Sequence, residues 1–290
     1  MRARRVLVTG AGGKTGRAIL AALAAENVPA RALVRDPDRH RDLAHIGDVE
    51  VVAGDQRDPA SLAAGLEGAD AIYHLAPNVT PNEVAMGEAV LAACRRVGVC
   101  RLVFHSVAGP HEPAMPHHAD KGIVEDRIVA SDLAWTILRP NAYLQNLDGY
   151  LDDLRDGHYR VPYATDRGLA LVDLREVAEV AAGVLSGRLN AAVGAIWELA
   201  GPAPVSPSDV AEVAADLLGR PVAAERSDPD DWLIEAAAAG LPQQARQRLH
   251  LMFRYYDRHG FPGDPATLWR LLGREPTDVA SYLEAAFASG

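Results

Sequence analysis

The stretch VTGAGGKTG, residues Val8 to Gly16, decides the fold, because two kinds of phosphate-binding loop compete for it. A nucleoside-triphosphate loop needs G-x-x-x-x-G-K-[ST]. Counting back from Gly13-Lys14-Thr15, its first glycine falls on Val8, and Val6, Leu7 and Val8 are already needed for an apolar strand. The strict dinucleotide pattern G-x-G-x-x-G fails too, since Thr15 stands where the glycine after Gly10 and Gly12 belongs. Glycine at every third residue, Gly10, Gly13 and Gly16, does fit. Gly10 permits the tight turn out of the strand, Gly13 lets the backbone approach a pyrophosphate with no Cβ in the way, and Gly16 lets the next helix pack closely on the sheet. The pyrophosphate then rests on a helix N-terminus, where free N–H groups and the dipole favour anions; Lys14 and Thr15 lie beside it, Lys14 adding charge.

Outward from this loop, short apolar runs alternate with helical patterns, as in strand-helix-strand units of a parallel sheet. RVLVTG, PARALVR, VEVVAGD, AIYHLA and RLVFHS read as strands, with helices beginning near Gly13, Pro59, Asn82 and Lys121, and WTILRP as a sixth strand. Asp58 caps the helix that opens at Pro59. Asp173 with Glu176 starts another helix in capping-box fashion, AIWELAGP reads as a strand, and SPSDVAEVAADLLG runs from a Ser206 cap to Gly219. From about Asp228 the chain is helical and rich in aromatics. The predicted architecture is α/β: a Rossmann-type, doubly wound parallel sheet over residues 1–145, and a smaller C-terminal α/β substrate lobe over residues 146–290, mainly helical. Parts near 171–200 are expected to pack back on the Rossmann sheet.

Composition narrows the partners. A 290-residue chain with 49% hydrophobic residues can bury a large core, and a net charge of −10 repels nucleic acid. Cys94 and Cys100 fit neither a disulfide framework nor a zinc site, and read as reduced thiols in a bacterial, cytoplasmic protein. The N-terminus passes from charge straight into a strand, so neither a signal peptide nor a membrane anchor is expected. The expected partner is a small-molecule substrate, with a homodimer left open.

The second strand bears on the cofactor. An enzyme using NAD places an acid at its end, and one using NADP places a basic residue there. The apolar run of ARALVRDPDR ends at Val34, and Arg35 follows, suited to a 2′-phosphate, with Arg39 in reach to assist. NADP(H) is therefore preferred over NAD(H); Asp36 serves the other reading if the strand runs one residue longer.

At this point the chain resembles a family, the NmrA-like, atypical branch of the short-chain dehydrogenases/reductases. The resemblance rests on VTGAGGKTG, ALVRDPDR, GDQRDPASL, HLAP, LVFHSVAG, KGIVEDRI, WTILRPNAYLQN, LVDLREVAEVAA, WELAGP and GREPTDVASYL, spread over nearly the whole sequence. It implies Asp55 and Gln56 near the adenine, Leu75, Ala76 and Pro77 along the cofactor ribose, and Pro140, Asn141 and Tyr143 near the nicotinamide or substrate, Tyr143 being a candidate catalytic residue. Typical members of the superfamily use Tyr-x-x-x-Lys, whereas here His117 stands four residues before Lys121, and no tyrosine in the chain has a lysine four residues later. KGIVEDRI instead resembles the lysine motif of the isoflavone-reductase-like branch, in which lysine does acid/base work.

Lys121 is one of two lysines, with Lys14, in a chain of 27 arginines, so an ordinary exposed cation here would sooner be arginine. On a helix with Val124 and Ile128 inward, it can aim into the cleft above the end of the fifth strand, where Ser106 is a further cofactor-contact candidate. The alternative is a surface lysine paired with Glu125 one turn on. The stretch HSVAGPHEPAMPHH, with His105, His111, Glu112, His117 and His118, lacks metal-ligand spacing, and no metal is expected. It reads as a mobile loop in which His117 or His118 could donate a proton, provided a histidine titrates near neutrality.

The function expected from these residues is NADPH-dependent hydride transfer to a conjugated small molecule, quinone, enone or related aromatic, with Lys121, His117 and Tyr143 as the catalytic candidates. The aromatics after Asp228 would supply an apolar roof. Two alternatives stay open: a non-catalytic NADP(H)-binding redox sensor, and a redox-neutral epimerase, isomerase or dehydratase that retains its dinucleotide.

Overall fold

The computed structural model describes residues 5–99, 101–189 and 193–289, so Cys100 lies outside the described residues. In chain order the elements are β1 (Val6–Val8), α1 (Lys14–Ala25), β2 (Ala30–Val34), β3 (Val49–Ala53), α2 (Pro59–Leu66), β4 (Ala71–His74), α3 (Glu83–Val97), β5 (Arg101–His105), α4 (Pro116–Val129) and β6 (Ala134–Pro140). They continue as α5 (Leu151–Asp156), β7 (His158–Val161), α6 (Leu174–Ser186), β8 (Ala195–Leu199), α7 (Pro207–Leu218), β9 (Ala223–Arg226), α8 (Pro229–Ala238), α9 (Gln243–His259), α10 (Ala266–Leu272) and α11 (Val279–Ala288). Two compact units result: Met1–His111, His117–Arg139 and Leu174–Trp197 form the first, and Glu112–Pro116, Pro140–Asp173 and Glu198–Gly290 the second.

The first unit carries a sheet ordered β3-β2-β1-β4-β5-β6-β8, with every neighbouring pair from β3 to β6 parallel. This is the doubly wound Rossmann arrangement expected from the alternation of strands and helices. Parallel strands covered on both faces need apolar residues throughout, and Val6, Leu7, Val8, Ile72, Tyr73, Leu102, Val103 and Phe104 are all fully buried. One core joins Leu7 and Ile72 to Leu62 and Leu66 of α2, Val90 and Cys94 of α3, and Val124 and Ile128 of α4. Helix α6 packs on α1, whose buried stripe is Ile19, Leu20 and Leu23. Asp58 caps α2 as expected, its carboxylate accepting from Ala60 N (3.0 Å) and Ser61 N (3.2 Å).

The start of one helix departs from the sequence reading. Helix α4 starts at Pro116, not near Lys121, so the end of the expected mobile loop is the helix's first turn. Proline is pre-set for the first helical position, and His117 and His118 are both buried there.

The second unit contains α5, α7 to α11 and a two-stranded parallel ribbon, β7 with β9, which the sequence did not announce. Ser206 and Asp209 form a full capping box on α7, and Gly219 closes it in the left-handed conformation. Its aromatics mostly pack on one another: Trp232 meets Phe253 edge-on with centroids 4.7 Å apart, and Tyr163 touches both Phe253 and Tyr256. Burial pushes the Tyr163 and Tyr256 phenols well up.

Candidate functional site

In an open parallel sheet, ligands bind beyond the carboxyl ends of the strands where the order reverses, which here is between β1 and β4. The glycine loop leaves β1 at that point. Gly10 has φ +62°, and a Cβ there would lie 2.7 Å from the Leu75 carbonyl at the end of β4, so the turn requires glycine twice over. Gly13 caps α1 without any side-chain bond, no acidic residue occupies the first turn, and a Cβ at Gly13 would meet only Gly10 O at 3.5 Å. A helix start with no side-chain cap and with room at Gly13 suits a pyrophosphate, so the loop fits a dinucleotide. Gly16 has a different reason from the one expected: a Cβ there would strike Gly10 O at 2.3 Å and Ala11 Cα at 2.6 Å. It lets the helix close on its own loop. Lys14 is exposed and Thr15 half-buried. The ring of His40, from the 3₁₀ segment Pro37–His45, lies over Gly12, where a Cβ would be 2.6 Å from it.

Beneath the loop runs a buried polar layer. Thr9 Oγ1 accepts from Leu75 N (2.9 Å), donates to Leu75 O (3.1 Å) and lies 3.1 Å from His74 Nδ1. Burial, then the nearby positive Lys121, depresses His74 to about 3. Among the described residues His74 Nε2 has no hydrogen-bond partner, which a neutral ring tolerates and an imidazolium would not. His105, bonded through Nδ1 to the Tyr73 hydroxyl, is held at about 3 by burial, Lys121 and His74. Although it follows in the same stretch as the expected histidine cluster, it lies on β5, and it does not titrate near neutrality.

Lys121 stands at the carboxyl ends of β4 and β5. Its ammonium donates to Glu83 Oε1 (2.9 Å) and to the His105 carbonyl (3.3 Å), and sits 5.4 Å from the centre of the Phe104 ring. The expected alternative partner, Glu125, is engaged elsewhere. Arg139 donates to both its oxygens, from Nε at 3.1 Å and from Nη2 at 2.5 Å, and Ser106 Oγ donates to Oε1. The Ser106 hydroxyl proton is thus committed to Glu125, so toward a ligand Ser106 acts as an acceptor. His117, the position where typical relatives have tyrosine, is buried against His118, whose Nδ1 bonds the Ala108 carbonyl (2.9 Å).

Arg35 is exposed directly after β2, while Arg39 bonds back to Asp36, Nε to Oδ2 at 3.3 Å. Asp55 follows β3 and is held down to about 2, first by its hydrogen bonds from Arg57; Gln56 is half-buried beside it. After β4 come Leu75, Ala76 and Pro77, then Val79 at φ +48°, a conformation that is strained for a β-branched residue and costs on the order of 1–3 kcal/mol. In the second unit Pro140 and Asn141 are buried. Asn141 Nδ2 donates to Pro262 O (3.4 Å), and its Oδ1 accepts from Ala142 N (3.2 Å). Tyr143, half-buried, bridges to Val172. The first unit therefore brings the glycine loop, Leu75, Ser106 and Lys121 to the carboxyl ends of β1, β4 and β5.

Sequence reasoning missed Glu83, Arg139, Thr9 and His74. Glu83 looks like an ordinary first-turn acid of α3; its signal was that α3 is the next element after HLAP, whose Leu75, Ala76 and Pro77 the resemblance puts along the cofactor ribose.

The chain is similar to known proteins over nearly its whole length. The sequence model of the NmrA-like family matches residues 2–284. The chain is 27% identical to an NAD(P)H azoreductase of Xenophilus azovorans, covering 97% of each chain. It is 32% identical to a (4-alkanoyl-5-oxo-2,5-dihydrofuran-3-yl)methyl phosphate reductase of Streptomyces griseus subsp. griseus, covering 78% of each. Its fold is similar to that of an NADPH-dependent quinone oxidoreductase of Escherichia coli solved with NADPH, at 22% identity and TM-score 0.84, covering 97% of this chain and 99% of that one.

Proposed function

We propose that this chain, which belongs to the NmrA-like family, is an NADPH-dependent oxidoreductase that reduces a conjugated small molecule such as a quinone or enone. The observation that carries the reading is the pairing of an open glycine cradle, with no side-chain cap, at the sheet's reversal point with an ion-paired lysine at the ends of the adjacent strands. The reductase names of the two sequence relatives support it.

Gly13 and the first amides of α1 would hold the pyrophosphate, Lys14 adding positive charge, and Arg35 would favour a 2′-phosphate. A bound nicotinamide supplies hydride. Lys121 presents a fixed cation where negative charge develops on the acceptor oxygen, and Ser106 accepts a hydrogen bond from a ligand hydroxyl. Neutral His74 and His105 place no competing cation under the site.

The test is NADPH binding by fluorescence, followed by NADPH oxidation with a panel of quinones, enones and imines, for the wild type and Lys121→Ala. Turnover by the wild type that drops at least tenfold in Lys121→Ala is expected. Tight binding without turnover across the panel would overturn the reductase reading and favour a non-catalytic sensor.

A further inference from the structure

We propose that Glu83 is the positioning residue of this site: it fixes the Lys121 ammonium at the ends of β4 and β5 and keeps it charged, so that Lys121 acts as a stationary cation rather than a proton shuttle. The inference builds on the reductase reading for its catalytic meaning, but its geometry stands independently.

Lys121 has three N–H donors. One goes to Glu83 and one to the His105 carbonyl, which leaves a third for a ligand oxygen. Both members of the pair are withdrawn from water, the Glu83 side chain being 3% exposed and that of Lys121 15%. In such a setting an ammonium without a counter-charge favours its neutral form, so the carboxylate sets the charge of the site.

Four other groups on the neighbouring strands and on α4 bear on that role. His74 on β4 and His105 on β5 are neutral over the working range. Glu125, one turn along α4, is taken by Arg139 from β6 and by Ser106. Phe104 contributes only its ring face. Among the described residues no second carboxylate bonds Lys121. Glu83 lies in the first turn of α3, where the helix N-terminus favours an anion, so its own charge is supported from behind.

The sequence offers a direct experiment, because Lys14 and Lys121 are its only lysines. Protein labelled with [ε-¹³C]lysine gives two methylene signals, assigned with Lys14→Arg and titrated by NMR from about pH 6 to about pH 11. We expect Glu83→Gln to lower the Lys121 midpoint by about one pH unit or more, Glu83→Asp to recover most of that shift, and the Lys14 signal to be the same in all three proteins. In NADPH-dependent quinone reduction, Glu83→Gln should lose kcat first on the alkaline side, with KM for NADPH changed less than about threefold. A Lys121 midpoint in folded Glu83→Gln within about 0.3 units of the wild type overturns the proposal. Should Glu83→Gln fail to fold, the wild-type Lys121 ¹⁵Nζ ammonium must be visible at neutral pH through its protection from exchange, and its absence is equally fatal. The NMR titration needs no turnover, so a normal Glu83 effect in a protein that reduces nothing would sink only the reductase reading.

Discussion

Gly13→Ala separates the fold of the glycine loop from its use. Gly13 has φ −82° and ψ 169°, a conformation open to alanine, and the added Cβ meets only Gly10 O at an ordinary 3.5 Å. The folded state should therefore accept the methyl group. Alanine is a poorer cap than glycine, costing about 0.5–1 kcal/mol, and the stiffer unfolded chain returns about 0.4–1 kcal/mol, so the net change in stability stays within about 1 kcal/mol. Binding should respond very differently, because the methyl group projects where a pyrophosphate oxygen must reach the α1 amides. Losing one charge-assisted hydrogen bond costs about 1.5–3 kcal/mol, or roughly a 10- to 150-fold rise in Kd for NADPH. Gly16→Ala is the control: its Cβ falls about an ångström short of contact distance from Gly10 O and Ala11 Cα, so it should disturb the loop itself and reduce stability as well as binding. Denaturant unfolding and NADPH fluorescence titration on both variants measure the two effects. If Gly13→Ala binds NADPH within about twofold of the wild type, the pyrophosphate does not sit on this loop and the cofactor reading fails.

Arg139→Leu should destabilise the protein by about 3 kcal/mol, because it strands the 2% exposed Glu125 carboxylate; the double variant with Glu125→Gln should recover most of the loss in urea unfolding. In the single variant the deficit should shrink as the pH is lowered, since protonation neutralises the stranded group. For the wild type, His74 and His105 bind a proton only near pH 3 when folded but near 6.5 when unfolded, so their contribution to stability is complete above the higher value and is lost as the pH falls between the two. Each steepens that loss by up to about 1.4 kcal/mol per pH unit, and a His105→Leu variant with an equally steep pH dependence would contradict this. Arg35→Ser should weaken NADPH binding about tenfold and leave NADH within about threefold, as read by paired titrations; equal losses would remove Arg35 from 2′-phosphate recognition.

What the sequence revealed and what it hid have separate physical causes. The spacing of Gly10, Gly13 and Gly16 was readable because backbone geometry permits almost nothing else there, and runs such as RLVFH declare a strand buried on both faces. The ribbon of β7 and β9 was not readable: HYRV and AAER are short, carry charged residues, and gain their meaning only from each other across some sixty residues. Lys121 stood out through composition, but its partner could not be found locally. The i,i+4 rule pointed to Glu125, whereas tertiary contacts drew Lys121 to α3 and Glu125 to β6. Pro116 was a start signal for α4 that the histidines after it obscured.

The first unit is assembled from three separated stretches, and this bears on how the chain emerges from the ribosome. Helix α1 is complete by Ala25, yet the helix that covers it, α6, begins only at Leu174. At about 5–20 residues per second, α1 therefore waits roughly 10–30 s for this neighbour. A ribosome stalled before Leu174 should hold a nascent chain whose first helix is still open to a trigger-type holdase, and release past Ser186 should end that capture.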